Sequence, residues 1–406
     1  MSEMNWEKTH LSGCIASING GVSVNSEDRP RSAGEIGVLK TSAVSAGRFL
    51  STENKVVVAR ERARVAEPLC SDSILFSRMN TPALVGESCY VKDGDSTLFL
   101  PDRLWQIRVE LNNTDARWLS CVLQTPQISD AIRALATGTS GSMKNISKKR
   151  LLALEISLPP LSEQHRIVDI IDALDYRICQ AERAIAKLKL LGAGLMQKLL
   201  AGSAERGAVS RRAIGDICDT YSGGTPARSV PGMYGGNIPW IKSGEVNQRS
   251  IFETDETITE KALKLSSTKW VEAGTPLVAM YGATAGAVSW TDIRATTNQA
   301  VLALSATGKD LSARWLYWAM LYQAPKIVAT VQGSGQPNLS KSILDNFRLP
   351  IPEDRREQLR SADILDAFDQ QLMSEENACR ALKLIRPGLL TDLVIGRVRV
   401  PAGVAS

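Results

Sequence analysis

The sequence predicts an α+β protein in which two mixed α/β globular domains follow each other in tandem, separated and joined by two long helices that pack as an antiparallel coiled coil. Three observations lead to this fold class: a long helical pattern in the middle of the chain, a second copy of it near the end, and a second copy of the globular segment between them. With 406 residues, 44% of them hydrophobic, the chain is long enough for at least two hydrophobic cores.

The first helical stretch runs from Ser162 to Gly202 and carries apolar residues at alternating steps of four and three. This spacing keeps one stripe of the helix, called the seam here, against a partner helix. Leu158-Pro159-Pro160-Leu161 ends the preceding globular segment, and Ser162 is the expected N-cap. The residues predicted to pack in this seam are Ile167, Ile171, Leu174, Ile178, Ile185 and Leu188.

The same stretch recurs about 194 residues later, from Glu357 to Gly396. Glu163-Gln164 corresponds to Glu357-Gln358, and Asp175 corresponds to Asp369. The register holds without a gap over roughly forty residues, which indicates a tandem duplication rather than chance likeness between amphipathic helices. The seam residues predicted in the second helix are Leu365, Phe368, Leu372 and Leu382.

The two predicted helices are related but not identical. The second has Ser361 and Arg386 where the first has Ile167 and Gly192. Pro387 is expected to bend or break the second helix, because an interior proline removes a hydrogen bond and clashes with the preceding turn. Packing the two helices against each other covers both seams. The alternative is two ordinary amphipathic helices, each lying on its own domain.

Both globular segments are predicted to contain several short strands followed by a helix. In the first segment we expect strands at Gly34–Lys40, Lys55–Val58, Ser73–Phe76 and Leu104–Val109, and a helix from Ala116 to about Ala136. In the second, Ala313-Arg314-Trp315-Leu316 repeats Ala116-Arg117-Trp118-Leu119. The predicted organisation is a first domain at 1–160, a spacer helix at 161–203, a second domain at 204–354 and a second spacer helix at 355–400.

Composition excludes several classes of protein. Seven scattered cysteines without a CxxC pair and only two histidines disfavour disulfide frameworks, zinc sites and histidine-based catalysis. The sequence has no signal-peptide pattern and no apolar run long enough to span a membrane, so we expect a cytoplasmic location. A formal net charge of +5 is compatible with a polyanionic partner but does not identify one.

The motifs of common enzyme classes are also missing. The sequence has no P-loop, no GxGxxG after a strand, no HExxH helix and no GxSxG elbow. It also lacks the Asn- or Asp-Pro-Pro-aromatic tetrad expected of an amino-methyltransferase. Together with the duplicated architecture, this favours a binding protein with no catalytic residues and no metal ligands of its own.

Polar, glycine-bearing loops recur in both globular segments and carry side chains suited to DNA. Asn and Gln pair with adenine, Arg and Lys with guanine, and Ser, Thr and Lys reach phosphate oxygens. For any single residue the alternative is a solvated loop whose glycines serve only the turns. The DNA-binding candidates of the first segment are Lys40, Thr41, Arg48, Arg78, Asn80, Lys144, Asn145 and Lys148. Those of the second are Thr225, Lys242, Ser243, Glu245, Asn247, Arg249, Tyr281, Thr284, Gln332, Gln336, Asn338 and Lys341.

One combination of motifs resembles a known family. A Leu-Pro-rich end followed by Glu-Gln and a long helix occurs twice, and the second globular segment contains Gly223-Gly224, Ile238-Pro239-Trp240-Ile241 and Gly333-Ser334-Gly335-Gln336-Pro337-Asn338-Leu339-Ser340. In these features the chain resembles the specificity subunit of type I restriction-modification systems. The resemblance covers essentially the whole chain and is strongest for residues 211–396.

The resemblance implies a non-catalytic subunit with two target-recognition domains, each reading one half of a split DNA site, held apart by conserved helices that act as a ruler. It also implies that two methyltransferase subunits dock on these helices and that restriction subunits join them. S-adenosylmethionine, ATP and Mg²⁺ would then be bound by those partners and not by this chain. The alternatives are a stand-alone DNA-binding or scaffolding protein of the same fold, and a hydrolase or transferase with an unfamiliar site.

Overall fold

A computed structural model describes residues 6–138, 143–201, 209–331 and 338–400. Its contacts divide the chain into two compact units, Met1–Glu182 with Ala378–Ser406, and Arg183–Asn377. The division falls inside both long helices. Each unit therefore contains one globular domain, the first half of the helix that follows it, and the second half of the other long helix.

The first unit is built from short strands and three short helices, followed by a long one. The strands are β1 (Glu7–His10), β2 (Ile15–Gly20), β3 (Ser26–Glu27), β4 (Gly37–Leu39), β5 (Val44–Ser45), β6 (Arg48–Phe49), β7 (Asn54–Val57), β8 (Pro68–Leu69), β9 (Ser73–Ser77), β10 (Met79–Asn80), β11 (Ser88–Val91), β12 (Asp95–Phe99), β13 (Leu104–Val109), β14 (Lys144–Asn145) and β15 (Glu155–Leu158). The helices are α1 (Ala116–Gln124), α2 (Pro126–Ala134), α3 (Lys148–Leu152) and α4 (Leu161–Leu200), and α4 continues into the second unit.

The first globular domain contains two larger sheets beside the two-stranded pairs β1-β15, β5-β6 and β10-β14. One has the strand order β11-β9-β13-β2 and is antiparallel, and the other has the order β3-β7-β4-β12-β8. Apolar side chains of the first sheet, such as Ile74, Phe76 and Ile107, are fully buried against the equally buried Trp118 of α1. Burial of these large side chains is the main stabilising term of the domain.

The structure corrects three details of the prediction in this domain. The helix expected from Ala116 to about Ala136 is two helices, because Pro126 starts α2 and Thr125 before it is extended. The strand expected at Gly34–Lys40 covers only Gly37–Leu39, since Gly34 sits in a turn with φ +82°. The long helix begins at Leu161, so Ser162 lies in the first turn and is not the N-cap.

The second unit repeats this order of elements. Its strands are β16 (Val209–Ala213), β17 (Cys218–Ser222), β18 (Tyr234–Ile241), β19 (Ser250–Ile251), β20 (Thr257–Ile258), β21 (Trp270–Val271), β22 (Thr275–Ala279), β23 (Val288–Thr291), β24 (Ala295–Thr297), β25 (Val301–Ala306) and β26 (Arg348–Pro352). Its helices are α5 (Ile214–Ile217), α6 (Glu260–Leu265), α7 (Ala313–Ala329), α8 (Lys341–Asn346) and α9 (Arg355–Val394), of which α9 continues into the first unit.

The duplication extends to the topology of both sheets. The order β23-β22-β25-β17 in the second unit matches β11-β9-β13-β2 in the first, and β20-β18-β24-β21 matches β7-β4-β12-β8. Even the parallel pairs correspond, since β4 pairs with β12 and β18 with β24. The predicted tandem of two mixed α/β domains is confirmed.

The two long helices run antiparallel within each unit. In the first unit Asp175 of α4 pairs with Arg386 of α9, and Glu182, about two turns further along α4, pairs with Lys383. In the second unit Lys189 pairs with Glu376, while α4 residues closer to its end lie against residues closer to the start of α9. All ten predicted seam residues are buried or half-buried. Pro387 does not break the helix, because α9 continues through it to Val394; a bend at Pro387 stays a prediction.

Candidate nucleic-acid interface

In the first unit, two of the predicted DNA-binding loops form a single small sheet. Strand β10 pairs with β14 in antiparallel register, so that Asn80 lies opposite Lys144 and Met79 lies opposite Asn145. The amide of Ile146 also donates to the carbonyl oxygen of Arg78 at 2.9 Å. Residues about 65 positions apart in the sequence are thereby held together on one edge of the domain.

Two cations of this edge are held around one tryptophan. The guanidinium of Arg78 and the ammonium of Lys148 each lie 5.8 Å from the Trp105 ring. Arg78 Nε donates to the carbonyl oxygen of Asp102 at 2.6 Å, and Lys148 Nζ donates to the carbonyl oxygen of Ile18 at 2.6 Å. The carbonyl and ring contacts orient both side chains without neutralising them, so the edge keeps its positive charge.

The remaining candidates of the first unit lie in two different places. Lys40 directly follows β4, which pairs in parallel with β12. It therefore lies beside the loop after β12, whose Asp102 carbonyl accepts from Arg78. The ammonium of Lys40 is 3.7 Å from the carboxylate of Asp28. Thr41 begins the turn after Lys40. Arg48, in contrast, lies near the long helices. The pKa of Glu182 on α4 is lowered by its hydrogen bond from Lys383 and, to a smaller extent, by the nearby charge of Arg48.

In the second unit the same construction recurs with different side chains. Tyr281 and Asn338 form an isolated antiparallel bridge, and the amide of Leu339 donates to the carbonyl oxygen of Met280 at 2.8 Å. This bond corresponds to the one between Ile146 and Arg78 in the first unit. Tyr281 is 38% exposed, and an exposed aromatic ring can make stacking or edge contacts.

Loops next to this bridge collect further predicted residues. Thr284 Oγ1 donates to the carbonyl oxygen of Ser243 at 3.0 Å, which joins two candidate loops. Lys242 Nζ lies 3.0 Å from Glu256, and that hydrogen bond raises the pKa of Lys242, so the lysine stays protonated. Thr225 donates a hydrogen bond to the side-chain oxygen of Gln299.

In two candidates of the second unit, the charged side-chain group that could contact DNA instead binds another part of the protein. Glu245 is buried, and its carboxylate accepts from the amides of Lys242 at 2.8 Å and Asp255 at 2.9 Å. Arg249 lies 3.2 Å from Asp369 and 3.7 Å from Glu376 on α9. These contacts give both residues a structural role, and DNA binding by either one stays a prediction.

The last candidates are scattered. Lys341 pairs with Asp345 one turn along α8, at 2.6 Å, and Asn247 is exposed beyond the turn that follows Ser243. Gln332 and Gln336 lie outside the described residues.

The structure adds residues that the sequence analysis did not single out. Arg103 is exposed and its carbonyl oxygen accepts from the amide of Arg78 at 3.1 Å. In the equivalent loop of the second unit, the backbone amide of Asn298 donates to the carbonyl oxygen of Ile241 at 2.9 Å, and the exposed Gln299 follows it. In the sequence these residues appear only as a short polar run between two apolar strands, a pattern that is equally typical of an ordinary turn.

The helix pair differs between the units at equivalent positions. Asp175 accepts hydrogen bonds from Arg386 and from Arg117; burial raises its pKa, but the two arginines outweigh burial and the pKa is lowered. The equivalent Asp369 faces no such arginine from α4, because Gly192 stands where α9 has Arg386. Burial therefore dominates and raises the pKa of Asp369, although Arg249 opposes it.

Each unit also presents an exposed apolar pair on its part of the long helices. In the second unit Leu190 is 78% and Leu191 is 54% exposed, and in the first unit the equivalent Leu384 and Ile385 are 80% and 57% exposed. Large aliphatic side chains are thus exposed at the same place in both units.

The comparisons with known proteins agree with this architecture. The family model of the type I restriction modification DNA specificity domain matches residues 4–190 and 209–379. The chain belongs to this family. The resemblance inferred from the sequence motifs is thereby confirmed, and the two matches correspond to the two halves of the duplication.

Relatives within the specificity-subunit family match different lengths of the chain. The EcoEI specificity subunit of Escherichia coli is 27% identical over 177 residues, which are 43% of this chain and 30% of that protein. The putative MjaX specificity subunit of Methanocaldococcus jannaschii is 21% identical over 342 residues, or 80% of this chain and 78% of that protein.

Solved structures share the fold over nearly the whole chain. The S subunit of a type I restriction-modification system from M. genitalium has a TM-score of 0.64 at 17% identity and covers 97% of both chains. A chain solved in work on complex assembly and conformational transition of the type I R-M system has a TM-score of 0.58 at 18% identity and covers 98% of this chain and 100% of its own. Within the described residues, no helix is long and apolar enough to cross a membrane.

Proposed function

We propose that this chain is the specificity subunit of a type I restriction-modification complex and reads a bipartite DNA site, one half-site with each globular domain. The observation that carries the proposal is the repeated edge: the β10–β14 pair with Arg78, Asn80 and Lys144 in the first unit, and the bridge between Tyr281 and Asn338 in the second. A duplicated reading surface suits a split site.

The side chains on the two edges suit different contacts. Arg78, Arg103 and Lys148 supply positive charge in the first unit, which favours phosphate oxygens and the acceptor edge of guanine. In the second unit Asn298, Gln299 and the amide of Asn338 supply paired donors and acceptors, which favour adenine. The two half-sites would therefore differ in sequence.

Asn145 of β14 and Asn338 of the bridge to Tyr281 allow a matched test of half-site reading. The purified chain with its methyltransferase partner is offered a random duplex library, and the methylated products are sequenced. Asn145→Ala should relax the sequence preference within one half-site and Asn338→Ala within the other, each by about 1–3 kcal/mol at one base position. Asn112→Ala, an exposed asparagine at the opposite end of β13, is the control and should leave both half-sites unchanged.

One result would overturn the proposal. If the library yields a single uninterrupted motif, or if both asparagine variants relax the same half-site, the assignment of one half-site to each domain fails.

We assign methyl transfer and cleavage to partner subunits that carry S-adenosylmethionine, ATP and Mg²⁺. The chain must therefore bind these subunits while it is on the DNA. We propose that one methyltransferase subunit docks on each exposed apolar pair, Leu190 with Leu191 and Leu384 with Ile385. Burying exposed leucines is worth about 1.5–3 kcal/mol per side chain, enough to make each pair an anchor of an interface. Their equivalence predicts two copies of the same partner.

Native mass spectrometry of the complex tests this docking. The unaltered chain should bind two methyltransferase subunits, Leu384→Gln should bind one, and Leu190→Gln together with Leu384→Gln should bind none. Glutamine keeps the helix propensity of leucine. Lys187→Gln on the exposed face of α4 is the control and should keep both partners. Two bound subunits on the double variant would contradict the docking proposal and leave half-site reading intact.

The alternative function is a stand-alone DNA-binding or scaffolding protein of the same fold. It predicts that the chain binds its bipartite site with full affinity but forms no complex with a methyltransferase from the same cell. The mass measurement on the unaltered chain distinguishes the two functions.

A further inference from the structure

In the first unit, a buried glutamine attaches the globular domain to the helix that follows it. Gln164 lies in the first turn of α4 and is fully buried. Its Oε1 accepts from the amide of Asp115 at 2.8 Å, and its Nε2 donates to the carbonyl oxygens of Asn113 at 2.7 Å and Pro159 at 2.8 Å. The side-chain amide thus makes three hydrogen bonds, all to backbone groups.

The second unit repeats this attachment bond for bond. Gln358 in the first turn of α9 is 1% exposed. Its Oε1 accepts from the amide of Ser312 at 2.8 Å, and its Nε2 donates to the carbonyl oxygens of Asp310 at 3.0 Å and Pro352 at 2.9 Å. Both hydrogens of each amide are used, so neither side chain can rotate without leaving backbone groups buried and unpaired.

Each glutamine bonds to the backbone amide of a residue that caps a helix of the globular domain. Asp115 and Ser312 are the N-caps of α1 and α7, and their side chains accept from the amides of Trp118 and Trp315. Both tryptophans are buried beneath the sheets. Each glutamine therefore links the start of a long helix to the helix that packs on the sheets of its domain.

A second contact on the same side of each long helix completes the attachment. In the first unit Arg117 of α1 pairs with Asp172 of α4 at 2.7 Å. In the second unit Arg314 of α7 pairs with Asp366 of α9 at 2.8 Å, and Trp318 Nε1 donates to the same carboxylate at 2.7 Å.

The two contacts on each helix are separated by eight residues, from Gln164 to Asp172 and from Gln358 to Asp366. Eight residues of α-helix span about 12 Å. One contact alone would leave a pivot, whereas two contacts this far apart fix the angle of the domain on its helix.

We propose that Gln164 and Gln358 are positioning residues for DNA recognition: they hold each domain at one angle on its helix and so restrict the spacing between the half-sites that the protein accepts. The inference rests on the proposed reading of a bipartite site. Neighbouring base pairs are about 3.4 Å apart along the DNA axis, so a domain that tilts by that distance at its reading edge accepts a spacer changed by one base pair.

The test uses the full chain with its methyltransferase partner and a set of duplexes whose spacer is one or two base pairs shorter or longer than the preferred one. Gln164→Met and Gln358→Met keep the length of the side chain but remove all three hydrogen bonds. For each variant, methylation of the changed spacers relative to the preferred one should rise about tenfold, which corresponds to about 1.4 kcal/mol. The preferred half-site sequences should stay the same.

Leu277→Ala is the control, since Leu277 is buried in the core of the second domain and touches neither contact. It should lower total methylation without changing the spacer profile. Asp366→Asn is a milder change in the same attachment and should broaden the profile by a smaller factor, even if Gln358→Met does not fold.

Two outcomes separate the ideas. Spacer profiles of Gln164→Met and Asp366→Asn that match those of the unaltered chain and Leu277→Ala would overturn the positioning role. The site preference of the unaltered chain is measured first. If that chain shows no bipartite site, the result would instead refute the proposed function.

Discussion

Replacing Arg386 with methionine should destabilise the first unit, because Arg386 is the main partner of Asp175. The two side chains are 26% and 30% exposed, and one of their hydrogen bonds measures 2.8 Å. Breaking a fully buried pair costs about 3–5 kcal/mol and an exposed one at most about 1 kcal/mol, so a half-buried pair is worth about 2 kcal/mol. Arg117 still contacts Asp175 and keeps the loss from being larger.

The pH dependence follows from the direction of the pKa shift. The pKa of Asp175 is lowered in the folded protein, so its stabilising contribution is present above the unfolded value near about 3.9 and is lost as the pH falls through the folded value. Without Arg386, burial weighs more and the pKa of Asp175 rises. The variant then takes up a proton at a higher pH than the unaltered chain does, and the difference between the two should narrow from pH 7 toward pH 4.

Urea unfolding followed by tryptophan fluorescence measures the effect, with a double-mutant cycle at pH 7 to isolate the pair. Arg386→Met and Asp175→Asn should be coupled by about 1–2 kcal/mol. A coupling below about 0.5 kcal/mol, or a difference that does not change with pH, would refute the argument that this ion pair joins the two helices.

Two further predictions concern the equivalent positions of the second unit. Burial raises the pKa of Asp369, so its charged form opposes folding at neutral pH; Asp369→Asn should change the free energy of unfolding by less than about 1 kcal/mol, whereas Asp175→Asn should lower it by about 2 kcal/mol. Gly192→Ala would place a methyl group 2.7 Å from the ring of Phe368 and should destabilise by about 1 kcal/mol despite the better helix propensity of alanine. Gly194→Ala, with nothing within 4 Å, is the control and should stabilise by about 0.5–1 kcal/mol in the same urea assay. Equal effects of the two alanine substitutions would show that the Gly192 contact is not tight.

The long helices and the duplication could be predicted because both depend on periodic, local patterns. The step of four and three residues that marks the seam is visible at Ile167, Ile171 and Leu174, and the structure buries or half-buries all of them. A repeat of roughly forty residues without a gap needs no knowledge of packing to be recognised.

Contacts between distant segments could not be predicted in the same way. The sequence suggests that the loops at Arg78 and Lys144 are polar, but only the fold shows that they pair in one sheet. The sequence also gives no sign that Glu245 contacts backbone amides or that Arg249 contacts a carboxylate of α9. Polar side chains have the same appearance in sequence whether they face DNA or another part of the protein.

The Glu-Gln motif shows how a correct observation can have an unexpected meaning. It helped to detect the duplication, and the resemblance drew on it as a family feature. Its glutamine proves to be an attachment between domain and helix in both units, which no periodicity predicts because the bonded groups are backbone atoms of Asn113 and Asp310.

The division of the long helices also bears on the order in which the protein folds during synthesis. The second unit is one continuous stretch, Arg183–Asn377, so all of its parts have been made once residue 377 has left the ribosome. The first unit needs residues from Ala378 onward to cover its part of α4, although its globular domain is made first. Until then the buried seam residue Ile171 lacks Leu390 and Leu393 of α9, with which it shares a hydrophobic core. The half of the chain that is synthesised first is therefore the half that is completed last.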